Sequence, residues 1–304
     1  MPSFSYTVKE ELVAEINDRD KKFACLYSML LFCKQFDRDG ISIQTEHDKV
    51  AELFISLVDD VLRKKGAVTC VEKKKKTGMS YLLTVNSRED TEKLLNIYRC
   101  FNDGDTRRII TGNFETNSLG AFLAGAFLAA GSMIDPNNSY HLEYITPHRT
   151  LCDEFCDTLK LIGVTAKISE RKGNYIVYIK ESENIEDVLT FMGASMSSLE
   201  IMNVKILKDV RNKANRIANC DSANIEKTIA ASYKQIDDIE YIMNTAGFDS
   251  LSDELREIAE ARMENPDMSL RELGQALTKP ISRSGVNHRM RKLSLIAEEL
   301  RKRK

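Results

Sequence analysis

The chain has 304 residues, 44 Lys and Arg against 46 Asp and Glu, a formal net charge of −2, 42% hydrophobic residues and no Trp. That length holds two domains or three small ones, and that composition is globular, which excludes a disordered chain, a collagen-like chain and a polytopic membrane protein. A net charge near zero also speaks against nucleic acid, but only if charge is spread evenly along the chain.

The start, MPSFSYTVKEELVAEI, has no apolar h-region of a secretory signal. Cys25, Cys33, Cys70, Cys100, Cys152, Cys156 and Cys220 are odd in number, form no C-x-x-C pair and lie at no zinc spacing from the four His. They read as buried, reduced side chains in a cytoplasmic protein.

The next elements come twice. A helix with little charge, Leu26 to Lys34, precedes a strand pair that includes Ile41 to Thr45. An amphipathic helix through Val58 and Leu62 ends at Gly66. A hairpin follows, built on Val68, Thr69, Val71 and the run Tyr81 to Val85, and then a helix from about Ser87. At an offset of 97 residues Leu123 to Gly131 matches the first helix, Phe155 and Leu159 match Val58 and Leu62, and Gly163 matches Gly66. His141 to Ile145 is the second copy's first strand region. Val164, Thr165, Ile168 and the run Tyr175 to Ile179 build its hairpin, and a helix follows from about Glu183. The first hairpin turn is three residues longer, so the offset falls to 94 at Tyr81 and Tyr175. The two uncharged helices should pack together on a pseudo-two-fold axis.

Thr116 to Ile134 carries no charge, but its apolar core, Leu119 to Gly131, is too short to cross a bilayer comfortably. Its many Gly and Ala residues point instead to a close helix–helix contact. The motif LAGAFLAAG resembles a degenerate LAGLIDADG sequence, the signature of homing endonucleases. The resemblance implies metal-binding acids at Cys33 and Ala130, and neither is acidic, so no metal and no cofactor are expected. Asp37, Asp39 and Asp135 lie past the helix ends and do not match at the repeat offset. Lys73, Lys74, Lys75 and Lys76 in one hairpin turn and Arg171 and Lys172 in the other could touch phosphates. Residues 1–200 hold 25 basic and 30 acidic side chains, a net of −5, which argues against a DNA-gripping saddle as the main binding surface.

Ile201 to Ile242 has no Pro or Gly. It reads as one helix before Asn219 and another from about Asn224, with Asn215, Arg216, Asn219 and Asn224 as caps. Gly247 ends the second. A helix spans Leu251 to Glu264, stopped by Asn265-Pro266. Ser269 and Glu272 form a capping box that opens LRELGQAL, and Gly274 lies where another helix must come close. After a turn, Thr278 to Ile281, a last short helix starts at about Ser284 and buries Val286, Met290 and Leu293. Three such helices with a short turn point to a helix-turn-helix. Residues 235–278 hold 11 acids and 3 basic residues, whereas residues 279–304 hold 9 basic residues and 2 acids. The basic ones are Lys279, Arg283, Arg289, Arg291, Lys292, Arg301, Lys302, Arg303 and Lys304. Asn suits adenine edges, and Arg suits guanine edges or phosphates.

PISRSGVNHRMRKL, together with the SFSYTVKEEL start, NCDSANIEKTIAAS and the degenerate repeat, resembles the bacterial WhiA family, and the similarity runs through essentially the whole chain in the expected order. The resemblance implies a nuclease-inactive, DNA-binding transcriptional regulator of sporulation in actinomycetes and of cell division and chromosome segregation in other bacteria. The fold expected is α+β: a duplicated LAGLIDADG homing-endonuclease-like domain with lobes at 1–111 and 112–200, a helical linker at 201–222, and an all-α helix-turn-helix domain at 223–304. The DNA-binding set is Ser269, Lys279, Ser282, Arg283, Ser284, Asn287, His288, Arg289, Arg291 and Lys292. Partners are double-stranded DNA and a protein bound through the LAGLIDADG-like domain, with no membrane and a cytoplasmic, nucleoid-associated location. Two rivals are a divergent metal-dependent nuclease, opposed by the missing acids at Cys33 and Ala130, and a protein-interaction adaptor.

Overall fold

The computed structural model describes residues 3–75, 78–100 and 107–303. They divide into two compact units, 1–208 and 209–304.

The first unit contains the duplication. Helix α1 (Phe4–Glu15) precedes a first lobe of α2 (Arg19–Phe32), β1 (Gln35–Asp37), β2 (Gly40–Thr45), α3 (Asp48–Leu62), β3 (Val68–Lys75), β4 (Gly78–Val85) and α4 (Arg88–Ile97). The second lobe repeats the order with α5 (Leu119–Ala130), β5 (Gly131–Met133), β6 (Leu142–Thr146), α6 (Arg149–Lys160), β7 (Lys167–Arg171), β8 (Asn174–Ile179) and α7 (Ser182–Met192). Each lobe has one antiparallel sheet, ordered β1-β2-β4-β3 and β5-β6-β8-β7. Thr45 pairs with Tyr81 and Thr146 with Tyr175, so Thr45 and Thr146 are equivalent. The offset is therefore larger there than 97, because the β5–β6 connection is longer than the Asp37–Gly40 turn.

Helices α2 and α5 form the centre of this unit, and nearly every side chain from Ala24 to Phe32 and from Leu119 to Leu128 is buried. The small residues of LAGAFLAAG have a specific reason. A Cβ on Gly125 would lie 2.2 Å from Ser28 Oγ and 2.3 Å from the Cys25 carbonyl oxygen, and one on Gly120 would lie 2.4 Å from the Phe191 carbonyl oxygen. The aromatic side chains Tyr27, Phe122 and Phe155 pack around the crossing, with ring centroids 5.8 Å apart for Tyr27–Phe122 and 6.5 Å for Phe122–Phe155.

Several expectations change. Lys73, Lys74 and Lys75 are strand residues, paired with Ser80, Met79 and Gly78, because the hairpin ladder runs on past the apolar stretch; Lys76 lies outside the described residues. Cys70 and Cys220 are exposed, while the other five cysteines are buried. The helix α8 runs unbroken over Ser195–Thr245. Asn215, Arg216, Asn219 and Asn224 are thus exposed interior positions rather than caps. The run contains no helix breaker, its polar side chains at these positions face solvent, and Thr228 Oγ1 donates back to Asn224 O at 2.9 Å within the helix.

The second unit combines the C-terminal part of α8 with α9 (Asp253–Glu264), α10 (Leu270–Ala276) and α11 (Arg283–Lys302). Ile239, Ile242, Ile258, Leu273, Val286, Met290, Leu293 and Ala297 form its core. Helix α11 has 20 residues, so the short final helix of the sequence reading is extended through LSLIAEEL, where Ile296 and Leu300 pack on the core.

Gly125→Ala tests the close crossing. Ala for Gly in an open helix stabilises by about 1 kcal/mol. Here the clash with backbone reverses the sign, and chemical denaturation should show a loss of about 1–3 kcal/mol.

Candidate nucleic-acid interface

Helix α11 starts at the N-cap Ser282, whose hydroxyl accepts from Gly285 N at 3.2 Å. The turn before it is pinned from α9, where Glu257 Oε1 accepts from Thr278 N at 2.7 Å; the Thr278 side chain first, and then this backbone N–H, hold the Glu257 carboxyl below its usual range. Gly274 makes the tight approach possible. Its carbonyl accepts from Ile281 N at 3.0 Å, and a Cβ there would meet the Ile281 carbonyl oxygen at 2.5 Å. Ser269 caps α10, with the box to Glu272 expected from sequence.

The inner face of α11 is held by Val286, Met290, Leu293 and Ala297. Three polar ties add to it: Arg289 to Glu254 at 3.3 Å, Ser294 to Asp238 at 2.7 Å, and Arg301 to Asp238 at 2.7 Å and Asp237 at 2.8 Å. Asp237, Asp238 and Glu254, three of the acids of residues 235–278, thus hold α11 from behind. Two of the predicted basic residues are engaged here. Arg289 is only 18% exposed at its side chain and faces α9, so the structure does not bring it together with the other site residues. Arg301 is likewise bound inward.

Helical spacing places Ser284, Asn287, His288, Arg291 and Lys292 on the opposite, exposed face. Among the described residues Asn287, His288, Arg291 and Lys292 have no hydrogen bond or ion pair, and Ser284 Oγ meets only Ser282 Oγ at 2.8 Å. Lys279 and Arg283 are exposed beside the N-terminal turn, while Ser269 is half-buried. Glu298 and Glu299 return negative charge to the same face further along the helix. Lys304 lies outside the described residues.

In the first unit, a cavity of about 390 Å³ opens between the C-terminal ends of α2 and α5, lined among others by Cys33, Lys34, Gln44, Ala130 and Asn174, with no acid. Burial raises the Cys33 thiol to about 11, against the nearby Arg107 guanidinium, and its Sγ donates to the Leu30 and Gln35 carbonyls. Asp37 Oδ1 accepts from Asp39 N and Gly40 N, and Asp135 Oδ1 from Asn137 N, so each is engaged in its own turn. This donor set does not fit a hard divalent cation, which requires oxygen ligands.

Cationic side chains sit at both motif-helix ends instead, a feature not legible in the sequence. Arg107 Nη1 donates to Leu31 O at 2.8 Å and Cys33 O at 2.5 Å, and Lys9 Nζ donates to Leu128 O at 3.2 Å. Leu31 and Leu128 are equivalent at the 97-residue offset. Each cation meets the partial negative charge of a helix C-terminus.

The sheets show a second charge asymmetry. Strand alternation places Lys73 and Lys75 of one lobe, and Lys167 and Arg171 of the other, on the sheet faces opposite the core. The acids at those strand positions are Asp37, bound in its turn, and Glu143, which pairs with His141 at 3.0 Å. Lys75 and Lys167 are paired with Glu46 and Glu181, whereas Lys73 and Arg171 have no ion pair among the described residues.

Models of the WhiA LAGLIDADG-like domain and the WhiA C-terminal HTH domain match residues 119–211 and 214–297. A protein from Clostridium tetani described as "Probable cell division protein WhiA" is 34% identical over 99% of this chain and 98% of its own length. The chain belongs to the WhiA family. A Lachnospira eligens protein of the same description is 37% identical over 98% of both chains. The crystal structure of full-length WhiA from Thermotoga maritima matches with a TM-score of 0.61 and 26% identity, covering 98% of this chain and 99% of that one. No helix among the described residues is long and apolar enough to cross a membrane.

Two variants test the cationic caps. Arg107→Ala leaves two buried carbonyls unpaired and should cost about 2–4 kcal/mol in chemical denaturation. Burial lowers the Lys9 ammonium to about 8, so the cost of burying its charge is present below that pH and is relieved as pH rises towards the unfolded value. The stability of the wild type relative to Lys9→Met should therefore increase between about pH 7 and pH 9.5; a flat difference would contradict the burial of Lys9.

Proposed function

We propose that this chain is a non-enzymatic, DNA-binding transcriptional regulator acting in cell division. The observation that carries the reading is the exposed face of α11, where Ser284 meets only Ser282 and where Asn287, His288, Arg291 and Lys292 have no partner among the described residues, on a helix whose other side is fixed by core packing and ion pairs. Such a helix fits the major groove, with Asn287 and Arg291 placed for base edges and Ser269, Lys279, Ser282, Arg283 and Lys292 for the backbone. Arg289 acts from behind the helix, as a support. The name of the relatives supports cell division as the process, and the resemblance extends it to chromosome segregation and, in actinomycetes, sporulation. DNA as the partner places the protein in the cytoplasm at the nucleoid.

We read the chain as nuclease-inactive: Cys33 and Ala130 stand where the motif would need acids, and no acid among the described residues lines the cavity beside them, which supports this reading. Plasmid incubated with the protein and Mg²⁺ or Mn²⁺ should remain supercoiled; cleavage would overturn this part. A second DNA surface on the sheets is favoured by one observation, the unpaired cations Lys73 and Arg171, one per lobe.

Duplex titration across a salt series tests the main reading. Six exposed cations, Lys279, Arg283, Arg291, Lys292, Lys302 and Arg303, give a slope of log K against log salt of roughly −5 if all meet phosphates. Arg291→Ala should weaken the preferred duplex by about 1–3 kcal/mol if it contacts a base. Arg289→Ala should lower the unfolding temperature. A flat salt dependence would overturn the proposal.

A further inference from the structure

The C-terminal unit contains a cavity of about 600 Å³, a volume in the range of small-ligand sites. Four helices meet around it: α8 contributes Asn224, Lys227 and Gln235, α9 Arg262, α10 Arg271 and α11 Arg283. Lys227, Arg271 and Arg283 are exposed, have no ion-pair partner among the described residues, and share the cavity with no acid. Three like charges directed to one small space repel one another unless an anion joins them.

The floor adds a second, independent observation. Arg262 is only 2% exposed. Its Nη1 donates to Met268 O at 2.7 Å, whereas its Nε is enclosed and meets no acceptor among the described residues. Gln235 also lines the cavity, and its Oε1 is enclosed and meets no donor among the described residues. Buried polar atoms are nearly always paired, and here two residues that line one cavity, Arg262 and Gln235, each keep an enclosed polar atom without a partner among the described residues.

We propose that this cavity seats a phosphate group, with Lys227, Arg271 and Arg283 neutralising it and Arg262 Nε donating to one of its oxygens. The phosphate has two sources: the backbone of the duplex bound by α11, since Arg283 belongs to both surfaces, or a free phosphorylated compound. Chemistry separates them at the floor. A phosphodiester offers only acceptors and leaves Gln235 Oε1 unpaired. A hydrogen phosphate or monoester also carries a P–OH that can donate to it. Only the backbone source rests on the DNA-binding reading above.

The test uses the full chain and the double variant Lys227→Ala with Arg271→Ala, both changes being at exposed positions. The first arm compares thermal unfolding in sodium phosphate with sodium chloride at equal ionic strength. General stabilisation by phosphate through exclusion from the surface is common to both proteins, so the reading is the difference between them. A specific site should give the wild type an additional rise of about 2–4 °C. The second arm measures duplex affinity across salt, where loss of two backbone contacts should make the slope shallower by about 1.8. A difference in the first arm alone assigns a free phosphorylated ligand, and a difference in the second assigns the DNA backbone. Equal behaviour of the two proteins in both arms would overturn the proposal. The first arm remains decisive even if the wild type binds no DNA.

Discussion

A Cβ on Gly125 would stand 2.3 Å from the Cys25 carbonyl oxygen, so α2 and α5 cross at backbone distance, and the duplicated unit is arranged around that crossing. Each lobe carries its sheet beside one of these helices, and the rings of Tyr27, Phe122 and Phe155 pack against one another around the crossing. The helix ends converge as a consequence, which concentrates carbonyl oxygens at the edge of one cavity. In the enzymes that the motif resembles, acids and metal ions meet there. In this chain Arg107 and Lys9 bring positive charge to the equivalent carbonyls of Leu31 and Leu128. The charge belongs to the protein, and no acid lines the cavity between the helix ends.

Charge in this protein is organised by face rather than by segment. Residues 1–200 sum to −5, yet the sheet faces opposite the core present Lys73 and Arg171 with no ion pair among the described residues. The C-terminal segment carries 9 basic residues, yet Arg289 and Arg301 are turned inward to Glu254, Asp237 and Asp238. These ion pairs explain why an acidic stretch precedes a basic helix: some of its acids hold the helix from behind. The near-zero total therefore has no bearing on whether DNA is a partner.

Periodicity and turn chemistry made most elements legible in the sequence. The repeated helix–hairpin–helix pattern, the Ser269–Glu272 capping box and the need for Gly274 are local signals, and all are present in the structure. What sequence could not reveal was pairing over long distances. Arg107 reaches α2 across more than seventy positions, and Lys9 meets Leu128 across more than a hundred. Neither contact leaves a pattern in the chain. The inward turn of Arg289 was hidden for a related reason: a basic residue on a recognition helix reads the same whether it faces a groove or a neighbouring acid. The expected break near Asn219 failed because polar residues without Gly or Pro do not end a helix whose side chains bond to their own backbone.

The surface proposed to recognise bases is the exposed face of α11. Selection from randomised duplexes, followed by sequencing of the bound pool, measures that recognition directly for the full chain and for Asn287→Ala. The wild type should enrich a defined motif, and the variant should lose preference at one or two adjacent positions while the remainder of the motif persists. An unchanged motif in Asn287→Ala and in Arg291→Ala would show that DNA is read elsewhere and would contradict the account.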